Sequence, residues 1–143
     1  MSTEAIKATA YQLYEDFNKA FRTRNPNVLE EVISANIVDH NPAPGQAVGL
    51  EGVKQYAAMF SSAFPDIQNI VEDLIAEGDK VVSRLTVRGT HTGTFMGIPP
   101  TGKQVVVTLM EILRITDGKV VERWGQFDTL GLMQQLGVIP ASG

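Results

Sequence analysis

Gln104-Val105-Val106-Val107-Thr108-Leu109-Met110-Glu111-Ile112-Leu113-Arg114-Ile115-Thr116, then Asp117-Gly118, then Lys119-Val120-Val121-Glu122-Arg123-Trp124-Gly125-Gln126-Phe127-Asp128, is the stretch on which the fold is decided. Two β-rich runs meet at an Asp-Gly pair, a strong signal for a two-residue hairpin turn. Side chains of a strand return to one face every second residue. Trp124, Gln126 and Asp128 are therefore expected to share a face. The turn pairs Thr116 with Lys119, and an unbroken ladder sets Glu111 opposite Trp124, Leu109 opposite Gln126 and Val107 opposite Asp128. One face then gathers Glu111, Glu122, Trp124, Gln126 and Asp128, and the other carries Arg114 and Arg123 among Met110, Ile112, Val121 and Phe127. A bulge would exchange the faces beyond it.

Upstream of this hairpin the pattern is helical. Ala10, Leu13, Tyr14, Phe17, Ala20 and Phe21 recur at helical spacing, which predicts a helix over 4–23 with Ser2 or Thr3 as its cap. Pro26 opens a second, shorter helix through about Ser34. Ile37 to His40 reads as a short extended segment, stopped by the loop Asn41-Pro42-Ala43-Pro44-Gly45. Val53, Tyr56, Ala57 and Phe60 place a third helix over 50–63. Ile67 to Ala76 and Lys80 to Thr92 read as strands around a turn at Glu77-Gly78-Asp79, and Leu130 to Leu136 as a closing helix. Helices first and an antiparallel meander afterwards predict an α+β fold: N-terminal helices packed in a strongly curved antiparallel sheet, a single domain over 1–143. Both hairpin faces are apolar. The helices cover one, and a symmetric homodimer through the convex face is the simplest cover for the other.

Composition narrows the function. The chain has 143 residues, no cysteine and a formal net charge of −4. Cysteine-ligated metals, thiol nucleophiles and disulfides are excluded, and a reducing cytoplasm is the expected location. An acidic balance argues against nucleic-acid and anionic-membrane partners, and no apolar run reaches membrane-spanning length. The two histidines and nearby acids do not form a metal-ligand spacing. The glycine-rich run 89–102 lacks the Gly-Lys-Ser/Thr end of a phosphate loop.

Gly89-Thr90-His91-Thr92-Gly93-Thr94-Phe95-Met96-Gly97-Ile98-Pro99-Pro100-Thr101-Gly102, Asp117-Gly118-Lys119-Val120-Val121-Glu122-Arg123-Trp124, Asp128 and Gln135-Leu136-Gly137 resemble the SnoaL-like polyketide cyclases, also called ester cyclases. Val38-Asp39-His40-Asn41-Pro42 and Phe64-Pro65-Asp66 fit as well. The resemblance covers nearly the whole chain. It implies a cone-shaped α+β barrel of the nuclear-transport-factor-like kind, usually a homodimer. The chemistry it implies is intramolecular aldol closure of a polyketide ring, a lyase or isomerase reaction without cofactor or metal. By the same resemblance Asp128 matches the acid/base aspartate and His40 a pocket histidine. One departure stands out: the characterised cyclases carry a histidine in the penultimate strand, and residues 104–116 contain none.

Each candidate has a bland alternative. Asp128 beside Trp124 is either a proton-transfer group raised by desolvation or the cap of the helix starting at Thr129. Gln126 and His40 are expected to orient substrate or aspartate, although His40 also reads as a loop residue before a proline turn. Glu111 is expected on the pocket wall, either bonding substrate or paired with Arg84, whose facing the register leaves open. Tyr14 and Phe17 are core residues or pocket lining. His91 is expected at a loop or edge near the pocket mouth. Three functions follow: a cofactor-independent cyclase or isomerase of a hydrophobic carbonyl compound, a non-catalytic small-molecule-binding domain, and an epoxide-type hydrolase. The last wants a water held by several polar residues, commonly an Asp-Arg-Asp set.

Overall fold

The computed structural model describes residues 2–140. Helix α1 (Thr3–Thr23) is followed by a 3-10 turn (Pro26–Glu31), strand β1 (Ile33–Asp39), helix α2 (Gly49–Ala63), strands β2 (Gln68–Glu77), β3 (Lys80–Thr90), β4 (Gln104–Thr116) and β5 (Lys119–Phe127), and helix α3 (Thr129–Leu136). The Ser2 hydroxyl caps α1 by accepting from the Ala5 amide at 3.1 Å, satisfying one of the orphan N–H groups of the first turn. Ile6, Ala10, Leu13, Tyr14 and Phe21 turn inward from that helix. The helix expected through about Ser34 is instead a 3-10 helix that ends at Glu31, and the extended segment begins at Ile33, earlier than the expected Ile37. No helix among the described residues is long and apolar enough to cross a membrane.

The sheet runs β1-β5-β4-β3-β2. Strands β2 to β5 form the expected antiparallel meander, but β1 joins the edge parallel to β5. The sheet is therefore mixed. Pattern along the chain could not show this pairing, because a parallel neighbour is reached through a long connection rather than a turn. Strand β4 buries every second residue from Val105 to Ile115, so its inner face packs on the helices.

The expected register is corrected at one point. The ladder pairs Thr116 with Lys119 and Ile115 with Val120, then slips so that Arg114 pairs with Glu122, Leu113 with Arg123, Ile112 with Trp124 and Glu111 with Gly125. Val121 is the extra residue of a β-bulge. Beyond it the two faces of β5 are exchanged. Arg123, Gly125 and Phe127 point inward with Glu111, while Glu122, Trp124 and Gln126 lie outward with Arg114, Ile112 and Met110. A second slip, at Glu72, falls in β2. Bulges of this kind sharpen the local twist and help the sheet curl around α1 and α2.

Candidate active site

Between the inner sheet face and helices α1 and α2 lies a cavity of about 510 Å³. Its walls are mostly apolar: Leu13, Phe17 and Phe21 from α1, Met59 and Phe60 from α2, Leu109, Leu113 and Phe127 from the sheet. Phe60 holds Phe95 and Phe127 at ring-centroid distances of 5.2 and 5.7 Å, so one wall is a packed aromatic cluster. The size and lining suit a small organic molecule. A smaller recess of about 370 Å³, lined by Ala20, Arg24, Pro26 and Ser61 among others, has no carboxylate in its lining.

One polar cluster interrupts the apolar wall. The bulge turns Arg123 inward, where its Nε donates to Glu111 Oε2 and its Nη1 to Asp39 Oδ1 at 3.0 Å. Tyr14 donates its hydroxyl to the other oxygen of Glu111 at 2.9 Å. Asp39 is also held by the Asn41 amide at 3.0 Å, and the Asn41 side chain accepts from the Gly125 amide at 2.9 Å. The cluster is a carboxylate–guanidinium–carboxylate set assembled from β4, β5 and the end of β1.

Electrostatics assign the protons. Burial works against the charge on Arg123, yet Glu111 and Asp39 outweigh it and hold the guanidinium above its ordinary range. Burial, with Glu111 adding to it, pushes the Tyr14 phenol well above its ordinary value. Burial likewise pushes Tyr56 up to about 12, with Arg123 opposing. Both phenols therefore stay protonated at neutral pH, and Tyr14 serves as a donor to Glu111. Among the described residues no group of three or more His, Cys, Asp and Glu side chains comes together to hold a metal.

Several expected site residues lie elsewhere. Asp128, placed by the sequence on the pocket wall beside Trp124, is exposed and caps α3, its carboxylate accepting from the Gly131 amide at 2.9 Å. It is not among the residues lining the cavity. The capping alternative fits this geometry. Asp128→Ala is expected to cost about 1 kcal/mol of stability, and Asp128→Asn to leave turnover unchanged, both read by denaturation and initial rates.

His40 and Trp124 are also outside the cavity lining. Alternation turns Asp39 in and His40 out, and the bulge carries Trp124 out to meet it. Their rings stack at 4.7 Å, and His40 Nε2 lies 2.6 Å from Glu122 Oε2. Arg114 bridges Glu122 and Asp79 at 2.9 and 2.7 Å, completing an outer network. The bonds from His40 and then Arg114 hold the Glu122 carboxyl below its ordinary value. A lowered folded-state value stabilises above the ordinary glutamate range, and this contribution is lost as the pH falls through the folded value. The stability gap between wild type and Glu122→Gln should accordingly be full at neutral pH and shrink on acidification below about pH 4.3, as melting curves at stepped pH would show.

Arg84 faces outward and pairs with Asp73, Nε to Oδ2 at 2.8 Å, so the cation beside Glu111 is Arg123 and not Arg84. Tyr14 and Phe17 do line the cavity. Gln126 borders it, although it pairs with Met110 on the outer face. His91 is fully buried rather than at an edge. The Thr101 amide donates to its Nδ1 at 3.2 Å, tying down the loop that leads into β4. Arg123, Asp39, Tyr56 and Gly125 were not read as site residues from sequence. The available signal was the charge of Glu111 alone on a buried strand face, which demands a cation nearby.

The family described as SnoaL-like polyketide cyclase matches residues 8–136. Aklanonic acid methyl ester cyclase DauD of Streptomyces sp. (strain C5) is 30% identical over 114 residues, covering 77% of this chain and 67% of that protein. Nogalonic acid methyl ester cyclase of Streptomyces nogalater is 29% identical over 122 residues, 82% of this chain and 90% of the other. Among solved structures, TsrD from Streptomyces laurentii superposes with a TM-score of 0.82 at 33% identity, covering 92% of this chain and 97% of its own. A match over so much of the chain, on a sheet that with two helices lines an apolar cavity, settles the kinship: the chain belongs to the SnoaL-like polyketide cyclase family.

Proposed function

We propose that this protein is a cofactor-independent cyclase or isomerase that closes a ring in a hydrophobic, polyketide-like carbonyl compound by an intramolecular aldol reaction. The observation that carries the reading is the Glu111–Arg123–Asp39 cluster, with Tyr14, set in an otherwise apolar cavity. The acid/base group moves from the expected Asp128 to Glu111, because Glu111 lines the cavity and Asp128 does not. Carbon flanked by two carbonyls is already acidic, so a positioned carboxylate suffices as base. Glu111 takes that proton, and the C–H electron pair passes into an enolate. The enolate carbon then bonds to the acceptor carbonyl, whose electron pair becomes an alkoxide. Protonated Glu111 returns the proton to that alkoxide, and the cluster is restored. The cavity wall supplies the folding of the chain that brings the two carbons together.

Incubation with aklanonic acid methyl ester tests the reading. Ring closure gives a product of unchanged mass and altered retention. Unaltered substrate at high enzyme concentration, together with tight binding, would instead support a non-catalytic carrier. The carboxylate–guanidinium–carboxylate set favours a second reading, the epoxide-type hydrolase, in which the cluster holds a water. That reaction adds one water to the mass of its substrate, so mass spectrometry separates the two.

The outer sheet face exposes Val106, Met110, Ile112 and Ile75 in an otherwise acidic, cysteine-free chain suited to the cytoplasm. A second copy of the chain covers this face in the proposed homodimer. Sedimentation is expected to give a dimer for the wild type and a monomer for the double variant Met110→Glu, Ile112→Glu, with the melting curve still cooperative.

A further inference from the structure

Gly125 stands directly across the ladder from Glu111, on the strand face that lines the cavity. Glycine inside a strand weakens it, and its usual justification is a close approach by another group. Here the approaching group is known. A Cβ on residue 125 would lie 2.6 Å from Cζ of Arg123 and closer still to Nη2. The Arg123 side chain turns back along its own strand and occupies the space that any other residue at 125 would fill.

This folded-back position leaves the guanidinium unevenly used. Nε is engaged by Glu111, and Nη1 by Asp39 and, at 3.4 Å, by the Asn41 carbonyl. Nη2 makes no hydrogen bond to any described residue, and Arg123 lines the cavity. A largely buried cation, its side chain 17% exposed, therefore presents a pair of N–H donors with no described protein partner beside the Glu111 carboxylate.

We propose that Arg123 Nη2, seated over the bare Cα of Gly125, is the oxyanion subsite of this pocket, where the enolate oxygen of the ligand is held. The inference rests on the proposed carbonyl chemistry and names where the oxygen sits. When Glu111 removes the proton, negative charge leaves Glu111 and appears on the ligand oxygen. Arg123 touches both positions, so its charge follows the electron pair without any movement of the side chain. Gly125 is thus a positioning residue: it acts by giving Arg123 its place.

Benzoylacetone is a suitable probe, because its enolate and neutral forms differ in ultraviolet absorption. Wild-type protein is expected to bind it and to raise its ionisation constant about tenfold or more relative to free probe, the effect of a cation within about 4–6 Å. In Gly125→Ala the guanidinium is displaced, and the bound probe should ionise as it does in water while the melting curve stays cooperative. Bound benzoylacetone with an unshifted ionisation constant in the wild type would overturn the subsite, and that result needs no variant. So would a shift that persists undiminished in Gly125→Ala. Failure of the wild type to bind benzoylacetone at all would instead count against the carbonyl-pocket function, and with it the subsite.

Discussion

Glu111→Gln is expected to lower kcat by about 10²–10⁴-fold, the usual worth of a positioned acid/base group, while KM changes little. The substitution keeps the volume of the side chain. Its amide oxygen still accepts from Tyr14, which donates to Glu111 Oε1 at 2.9 Å in the wild type. Arg123 keeps its second carboxylate, Asp39, at 3.0 Å. What is lost is the capacity to take a proton from carbon, together with the second acceptor, because an amide NH2 cannot receive the bond that Arg123 Nε gives to Glu111. Equal losses in kcat and kcat/KM would mark a contribution made in the transition state alone. Wild-type turnover in Glu111→Gln would return the acid/base role to another group and end the mechanism proposed for this pocket. Neither Tyr14 nor Tyr56 is a ready substitute as base, since burial raises both phenols.

Arg123→Met should have the largest effect on stability. The side chains of Glu111 and Asp39 are only 7% and 12% exposed, and Arg123 is the cation between them. Methionine matches much of the arginine stem and leaves two carboxylates facing each other in an apolar cavity. Removing one partner of a buried ion set typically costs about 3–5 kcal/mol, largely for stranding the other charge. Against a total stability of about 5–15 kcal/mol this is a large fraction. A drop in Tm of roughly 10 °C is the corresponding expectation for a domain of this size. The triple variant with Glu111→Gln and Asp39→Asn should recover much of the loss, because the stranded charges are then gone. A cost under about 1 kcal/mol for Arg123→Met would be that of an exposed pair, and would mean that the cluster is solvated rather than buried.

Much of the architecture is written locally and could be read there. Helical spacing gave α1 and α2 to within a residue or so, and the Asp-Gly turn gave the β4–β5 hairpin with its first pair, Thr116 and Lys119. The partner of β1 could not be read, since parallel pairing leaves no mark at short range. The site was only half legible. Tyr14, Phe17 and Glu111 were found because each lies on a buried face whose period is unbroken, and β4 alternates over its whole length. Beyond Val121 the period of β5 slips. Val120 and Val121 offer two equally apolar residues at the slip, so nothing in their chemistry says which one is extra. Every residue assigned after that point, Trp124 and Arg123 among them, was given to the wrong face. Asp128 followed the same error, and its short side chain found the helix cap that its neighbours Thr129 and Leu130 invite.

That single extra residue sets how this pocket could have arisen. Loss of Val121 would make the ladder continuous while Glu122 stayed opposite Arg114 and Arg123 opposite Leu113, so the cavity would keep Arg123 and Gly125 with the hairpin turn unchanged. The bulge therefore lets the last strand carry one residue more without rewriting the interior of the barrel. Two relatives whose last strands differ by one residue in length can hold the same chemistry inside when the longer strand bulges at the extra residue. Comparisons within the family should accordingly align the last strand by the face each residue occupies, and only then by the letters of its sequence.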